Sequence, residues 1–461
     1  MMWTRRGVCG ALAASALTPL SAAPRPDRGV LVRNACILTM DPTAGMIAAG
    51  SVHVQGGRIV AVGATVAAPG AEVIDGTGMI LLPGLIDTHF HTWQTLFRSF
   101  GGTTPQTAYF PSLHHFAAGM EPDDMYAATR LAATEALNAG VTTIHDWCHN
   151  IRSAEHARQD IRALADAGIR ARWSFGQAED QAPDQTIRLD DLTALAADWG
   201  ARSNGGLIRL GMAWRGMYRG GAWIPERVYR KELDTARGLG LPITTHTGTL
   251  DSSVGHIEKH YRAGLYGPDV NIVHACSATP AEVEMVKASG ASVSSLPMTE
   301  MIGGWGFPKL YEFMKAGVRT GLGIDTSVLG GSTNLFKLMQ FAMASCNVAH
   351  HNEMALTARD ALELGTIRAA SVLGIDDQVG SITAGKRADL ILVRTDTLGT
   401  AVVADPYALI VESALPEWVD TVMVEGRFVK RGGHMIGGDT ARVVEQARRA
   451  SERVRARMRY T

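Results

Sequence analysis

Gly84-Leu85-Ile86-Asp87-Thr88-His89-Phe90-His91 is a mostly apolar run that ends in two histidines one residue apart. Side chains alternate along a β-strand, so His89 and His91 point the same way. Runs of the same kind recur downstream, at residues 141–146, 169–175, 207–213, 241–246, 270–275, 291–296 and 319–325. Between them lie stretches of helical period at 122–138, 154–167, 225–239, 279–289 and 335–345, several opening on Pro, Asp, Ser or Thr. Eight strands alternating with helices predict an α/β fold, a (β/α)8 TIM barrel over residues 83–373.

Outside that span the texture changes. Residues 29–82 hold short β-type runs (30–38, 51–55, 59–62, 72–75) parted by glycine-rich turns, and a similar set returns after Gly374 at 380–382, 389–393, 419–424 and 427–430. Each set is too small for a stable sheet of its own, so 29–82 and 374–435 are expected to pair into one small β-sandwich domain beside the barrel. Residues 439–461 read as a charged helix. At the other end, Arg5 and Arg6 precede an uncharged run from Gly7 to Leu20 and then Ser21-Ala22-Ala23. That pattern predicts a signal peptide over 1–23, whose Arg5-Arg6 pair resembles the start of a twin-arginine signal, and a periplasmic or secreted protein; without a working signal it would stay cytoplasmic.

Composition excludes several classes. The chain has 461 residues, with 44 Lys plus Arg against 45 Asp plus Glu and a formal net charge of −1, so no basic footprint for nucleic acid exists. The five cysteines form no C-x-x-C pair, which argues against a disulfide framework or a thiolate zinc site. Beyond the N-terminus no apolar stretch reaches the roughly 18 residues of a membrane span. A small molecule is the expected partner, and a homo-oligomer is compatible with the sequence.

Further strand ends carry chemistry. Strand five ends in Thr244-Thr245-His246, strand six in Val273-His274-Ala275 and strand eight in Gly323-Ile324-Asp325. With His89 and His91, four imidazoles and a carboxylate then converge at the C-terminal mouth of the barrel, where active sites of this fold lie and where such donors can take a divalent metal. The strand-two end also carries His145, Trp147 and His149 on one face and Asp146 on the other. Trp93, Trp214, Tyr218, Trp223 and Trp305 fall in or beside mouth loops and suggest a planar or bulky apolar substrate. The long segment from Phe97 to Met120 is a candidate lid.

Together with Gly380-Ser381-Ile382-Thr383-Ala384-Gly385-Lys386-Arg387-Ala388-Asp389-Leu390, these strand ends resemble the amidohydrolase superfamily, in the branch of atrazine chlorohydrolase, guanine deaminase and adenosylhomocysteine deaminase. The resemblance implies that His89, His91, His246 and Asp325 hold one metal, that Asp325 also takes a proton from the attacking water, and that His274 orients this water or polarises the substrate. Many relatives bridge two metals with a lysine on strand four. Here residues 207–214 contain no lysine, which predicts a single ion, Zn2+ by default with Fe2+, Mn2+ or Co2+ also compatible.

Two departures shape the expected reaction. Deaminases of this branch carry His-x-x-Glu after strand five, where this chain has His246-Thr247-Gly248-Thr249; and the Pro-x-Ser-Asn pattern after strand seven is replaced by Pro297-Met298-Thr299-Glu300. Hydrolysis of an amide, carbamate or related C–N bond is therefore expected before deamination or dehalogenation of a nitrogen heterocycle; a non-catalytic scaffold is the remaining alternative. Gln94, His149, Trp93 and Glu300 are the candidate substrate contacts, and Glu300 or Asp251 the candidate replacements for the missing acid.

Overall fold

The computed structural model describes residues 28–100, 104–437 and 440–459, with Gln106 and Asp251 described through their backbones alone. The expected signal segment 1–23 lies outside the described residues. Eight strands, Leu85–Phe90, Val141–Cys148, Arg170–Phe175, Ile208–Ala213, Ile243–Thr247, Val270–His274, Ser292–Ser295 and Thr320–Leu322, run parallel in chain order as one sheet. The first and eighth meet at Phe90 and Asp325: the Asp325 N–H donates to the His89 carbonyl at 2.8 Å, and the His91 N–H to the Asp325 carbonyl at 2.6 Å. The eighth strand is shorter than the sequence run suggests. Gly323 lies so close to strand one that a Cβ there would stand 2.9 Å from both His89 N and His89 O.

Met79–Pro83, a strand that the sequence runs did not include, ends one residue before the first barrel strand, and the two are parted at Gly84. A Cβ on Gly84 would lie 2.1 Å from the Thr142 side chain, so only glycine lets the chain pass there from one sheet into the other. Met79–Pro83 belongs to the outer sheet, pairing in parallel with Val30–Leu38 and antiparallel with Leu390–Arg394. Through that central strand the two terminal segments join into one nine-stranded sheet. Its apolar face is built from residues such as Val32, Ile37, Leu81, Leu390 and Phe428.

Ion pairs tie the parts together. Arg170 of the third barrel strand forms a two-pronged pair with Asp389, at 2.7 Å and 3.1 Å, at the entry to strand Leu390–Arg394. Both side chains are buried, and removing one partner of such a pair typically costs about 3–5 kcal/mol. The C-terminal helix Thr440–Arg457 docks on Pro122–Asn138: it buries Val443, Ala447, Ala450 and Val454, one stripe at helical spacing, while Arg453 and Arg457 reach Asp124. Among the described residues no helix is long and apolar enough to cross a membrane.

Candidate active site

The barrel mouth gathers the expected donors at one point. His89 Nε2 lies 3.2 Å from His91 Nε2 and 3.2 Å from His246 Nε2, and Asp325 Oδ1 lies 3.4 Å from His91 Nε2 and 3.6 Å from His89 Nε2. One ligand atom from each of the four residues falls within 4.8 Å of every other. Burial, with further depression from neighbouring histidines, pushes all three imidazoles well below their usual range, so they are neutral and carry lone pairs. The His91 Nδ1–H faces the Trp147 carbonyl at 3.0 Å, which fixes its Nε2 lone pair toward the cluster. Asp325 Oδ2 is buried with no hydrogen-bond partner among the described residues. Neutral imidazoles and a carboxylate, all gathered at one point with a carboxylate oxygen left unpartnered, fit a single divalent cation.

Backbone strain marks the same rim. His274, Ala275 and Asp325 have φ of 75°, 56° and 66°, a left-handed conformation that costs non-glycine residues about 1–3 kcal/mol each. His274 packs against His246 and, edge to face, against Trp305, with ring centroids 5.3 Å and 5.1 Å apart. Its Nδ1 lies 3.5 Å from Glu300 Oε1.

The cavity above the cluster has a volume of about 410 Å³, with His91, His246, His274 and Asp325 at its base and Tyr109, Phe110, Tyr218 and Trp305 among its walls. Helix Tyr109–Ala117, within the expected lid segment, supplies Tyr109, Phe110, Leu113 and His114 to that wall. Thr249, standing where the family's acid is expected, also lines the cavity.

Three expected substrate contacts are not among the residues that line the cavity. Glu300 is fully buried: its Oε1 accepts the Leu296 N–H at 2.7 Å and its Oε2 the Ser295 hydroxyl at 3.2 Å. The short helix Pro297–Ile302 folds it back on the strand-seven end, so it touches His274 and does not reach the cavity. Trp93 is fully buried and donates its Nε1–H to His149 Nδ1 at 3.2 Å, a support for His149 and not a cavity wall. Gln94, also fully buried, accepts the Tyr109 hydroxyl at 2.9 Å and so holds a wall residue in place. Trp214 is a core side chain. The Asp251 side chain lies outside the described residues. His149 does line the cavity.

Glu179, which sequence reasoning missed, lines the cavity beside His149. Its carboxylate oxygens approach His149 Nε2 to 2.9 Å, His114 Nε2 to 3.1 Å and an Arg219 nitrogen to 3.9 Å. Burial alone would raise its pKa, but His149, His114 and Arg219 outweigh that and hold the carboxyl well below its usual range. The one signal available was a carboxylate four residues beyond the strand-three end, in a loop at the mouth.

Comparison with known proteins agrees with this architecture. Over 92% of its length the chain is 28% identical to a 5-methylthioadenosine/S-adenosylhomocysteine deaminase of Desulforudis audaxviator, of which 99% is covered. It is 27% identical over 93% to a 5'-deoxyadenosine deaminase of Methanosarcina mazei, again with 99% covered. An adenosine deaminase from Xanthomonas campestris with bound zinc superposes with a TM-score of 0.82 at 23% identity, over 94% of this chain and all of that one. An atrazine chlorohydrolase from Arthrobacter aurescens complexed with zinc gives a TM-score of 0.81 at 23% identity, over 92% of this chain and 100% of that one. The sequence profile of the Amidohydrolase family matches residues 80–429, the barrel together with its return into the outer sheet, and the chain therefore belongs to the amidohydrolase family.

Proposed function

We propose that the protein hydrolyses an amide or carbamate C–N bond next to a planar apolar group, with one divalent cation, zinc by preference, held by His89, His91, His246 and Asp325. The observation that carries this reading is the convergence of those four donors beneath an aromatic-walled cavity. The zinc in related amidohydrolase structures supports the choice of ion. Such a cation supplies Lewis acidity, polarising a carbonyl oxygen and bringing the pKa of water toward about 7.

The chain's own groups do the rest. Asp325, whose Oδ2 has no hydrogen-bond partner among the described residues, accepts a proton from the attacking water and returns it to the leaving nitrogen. His274 turns its cavity edge to the attacking water, while Glu300 behind it favours a proton on Nδ1 and leaves the Nε2 lone pair to accept a hydrogen bond from that water and orient it. The aromatic walls bind a planar group and exclude water.

Thr249 favours acyl hydrolysis over ring deamination. Attack on a heteroaromatic ring is helped by an acid that protonates a ring nitrogen, and an alcohol with its high pKa does not supply one, whereas an amide carbonyl needs only polarisation. Deamination of an aminated heterocycle is the second reading, supported by the deaminase activities named for the relatives. The test is a panel assay of zinc-loaded protein, with aryl amides and carbamates read by amine release and aminated heterocycles read by ammonia release. Turnover confined to the heterocycles would refute the acyl reading.

A further inference from the structure

The opposite end of the barrel holds a second cavity, of about 360 Å³, among the starts of the strands. Arg172, Arg209, Arg237 and Arg319 line it, and the one carboxylate there, Asp269, is engaged by Arg237 at 2.8 Å. The formal surplus is three positive charges. Arg172 and Arg209 are register neighbours on adjacent parallel strands, the third and fourth of the barrel. The Arg172 residue is only 8% exposed. Among the described residues its hydrogen bond goes to the Leu373 carbonyl, Arg209 bonds the Gly374 carbonyl at 3.2 Å, and Arg319 bonds the carbonyls of Ser371, Pro268 and Gly290; none of the three has a carboxylate partner. Burial, then repulsion from Arg209 and Arg319, pushes Arg172 down to about 9, so it remains charged at neutral pH.

Carbonyl contacts satisfy some of the five N–H donors on each guanidinium but neutralise no charge. Gathering three such groups around a cleft is unfavourable unless an anion joins them, and the guanidinium fork matches the oxygens of a phosphate two at a time. We propose that this floor cavity is an anion site, separate from the catalytic mouth, for a phosphate-type dianion, either free or as the end group of a small metabolite. The volume exceeds that of one phosphate and leaves room for an organic remainder.

Calorimetric titration of the full-length, zinc-loaded protein tests this, with inorganic phosphate and glycerol phosphate as probes and chloride at matched ionic strength as control. One equivalent should bind with a Kd below about 1 mM; tighter binding of the ester than of inorganic phosphate would identify the metabolite source, and the reverse order the free ion. Arg172→Met and Arg209→Met should each weaken binding at least about 10-fold, since each removes a charge-assisted pair. Arg209 is exposed, so its variant decides the matter if Arg172→Met fails to fold. Binding unchanged in Arg209→Met, as expected if phosphate goes to the catalytic cation, overturns the proposal, as does no binding above the chloride control.

Discussion

Glu300 offers the sharpest perturbation, because it stands behind the reacting groups and not among them. Glu300→Gln keeps the side-chain volume and one acceptor for the buried Leu296 N–H, now held at 2.7 Å, but removes the negative charge 3.5 Å from His274 Nδ1. The contact is electrostatic, since His274 Nδ1 has no hydrogen-bond partner among the described residues, and a charge at this distance contributes about 1–1.5 kcal/mol. If that difference operates through His274 in the transition state, kcat falls roughly 5- to 10-fold. KM should hardly move, because Glu300 does not line the cavity. Glu300→Ala goes further: it leaves the Leu296 N–H buried without an acceptor, which costs about 1–3 kcal/mol of stability. Steady-state kinetics on zinc-loaded protein of measured metal content, paired with urea unfolding, separates the two effects. Glu300→Gln with wild-type kcat, or with KM raised at constant kcat, would refute the link from Glu300 through His274 to the reaction.

Elemental analysis should find one metal per chain, and His89→Ala should lose metal and turnover together while circular dichroism shows the barrel intact; two ions per chain would contradict the single-ion site. Asp325→Asn should retain much of the geometry yet lose at least about 100-fold in turnover, whereas Thr249→Ala should be mild; the reverse ranking would mean the proton path is misassigned. Glu179 is held below its unfolded pKa, so its pairing stabilises the fold above about pH 4.3 and is lost as pH falls through the lower folded value. The stability gap between metal-free wild type and Glu179→Gln, by urea unfolding, should therefore be largest between the usual carboxylate and imidazole ranges, where Glu179 is ionised and His114, whose pKa it raises, is protonated, and should shrink toward stronger acid; a gap that grows as pH falls through the carboxylate range would reverse the sign. Export predicts that protein from its native host begins near Pro24, and an intact Met1 by mass spectrometry would refute it.

What the sequence made legible follows from periodicity. The strand ends that carry His89, His91, His246, His274 and Asp325 could be read because each closes an apolar run, and the fold rule for barrels then places every such end at one mouth. The direction of a loop side chain has no such period. Glu300 and Glu179 are both carboxylates a few residues past a strand end, yet one turns back to the Leu296 N–H and the other reaches into the cavity beside His149. Trp93 and Gln94 likewise follow His91 closely but sit in the 3-10 turn Thr92–Phe97, whose residues are all buried. The arginine floor escaped reading for a different reason. Arg172, Arg209, Arg237 and Arg319 are spread over nearly 150 residues, and only closure of the barrel brings them to one cleft.

Closure also explains how the mouth keeps its shape. The left-handed turns at His274, Ala275 and Asp325 are individually unfavourable, yet each is held by a neighbouring strand end: Ala275 N–H donates to the Thr247 carbonyl at 3.0 Å, and Asp325 is clamped through both its N–H and its carbonyl by the backbone of residues 89–91. Those bonds exist only when strands five and six, and one and eight, lie side by side. The strain is therefore sustained by barrel closure. With the backbone fixed, His246 and Asp325 meet His89 and His91 without rearrangement, which removes much of the ordering cost that binding a cation would otherwise carry. The same clamp holds His274 and Asp325 at fixed separation beneath the cavity, so a substrate carbonyl settling there meets proton-handling groups already in position and not groups that must be recruited by its arrival.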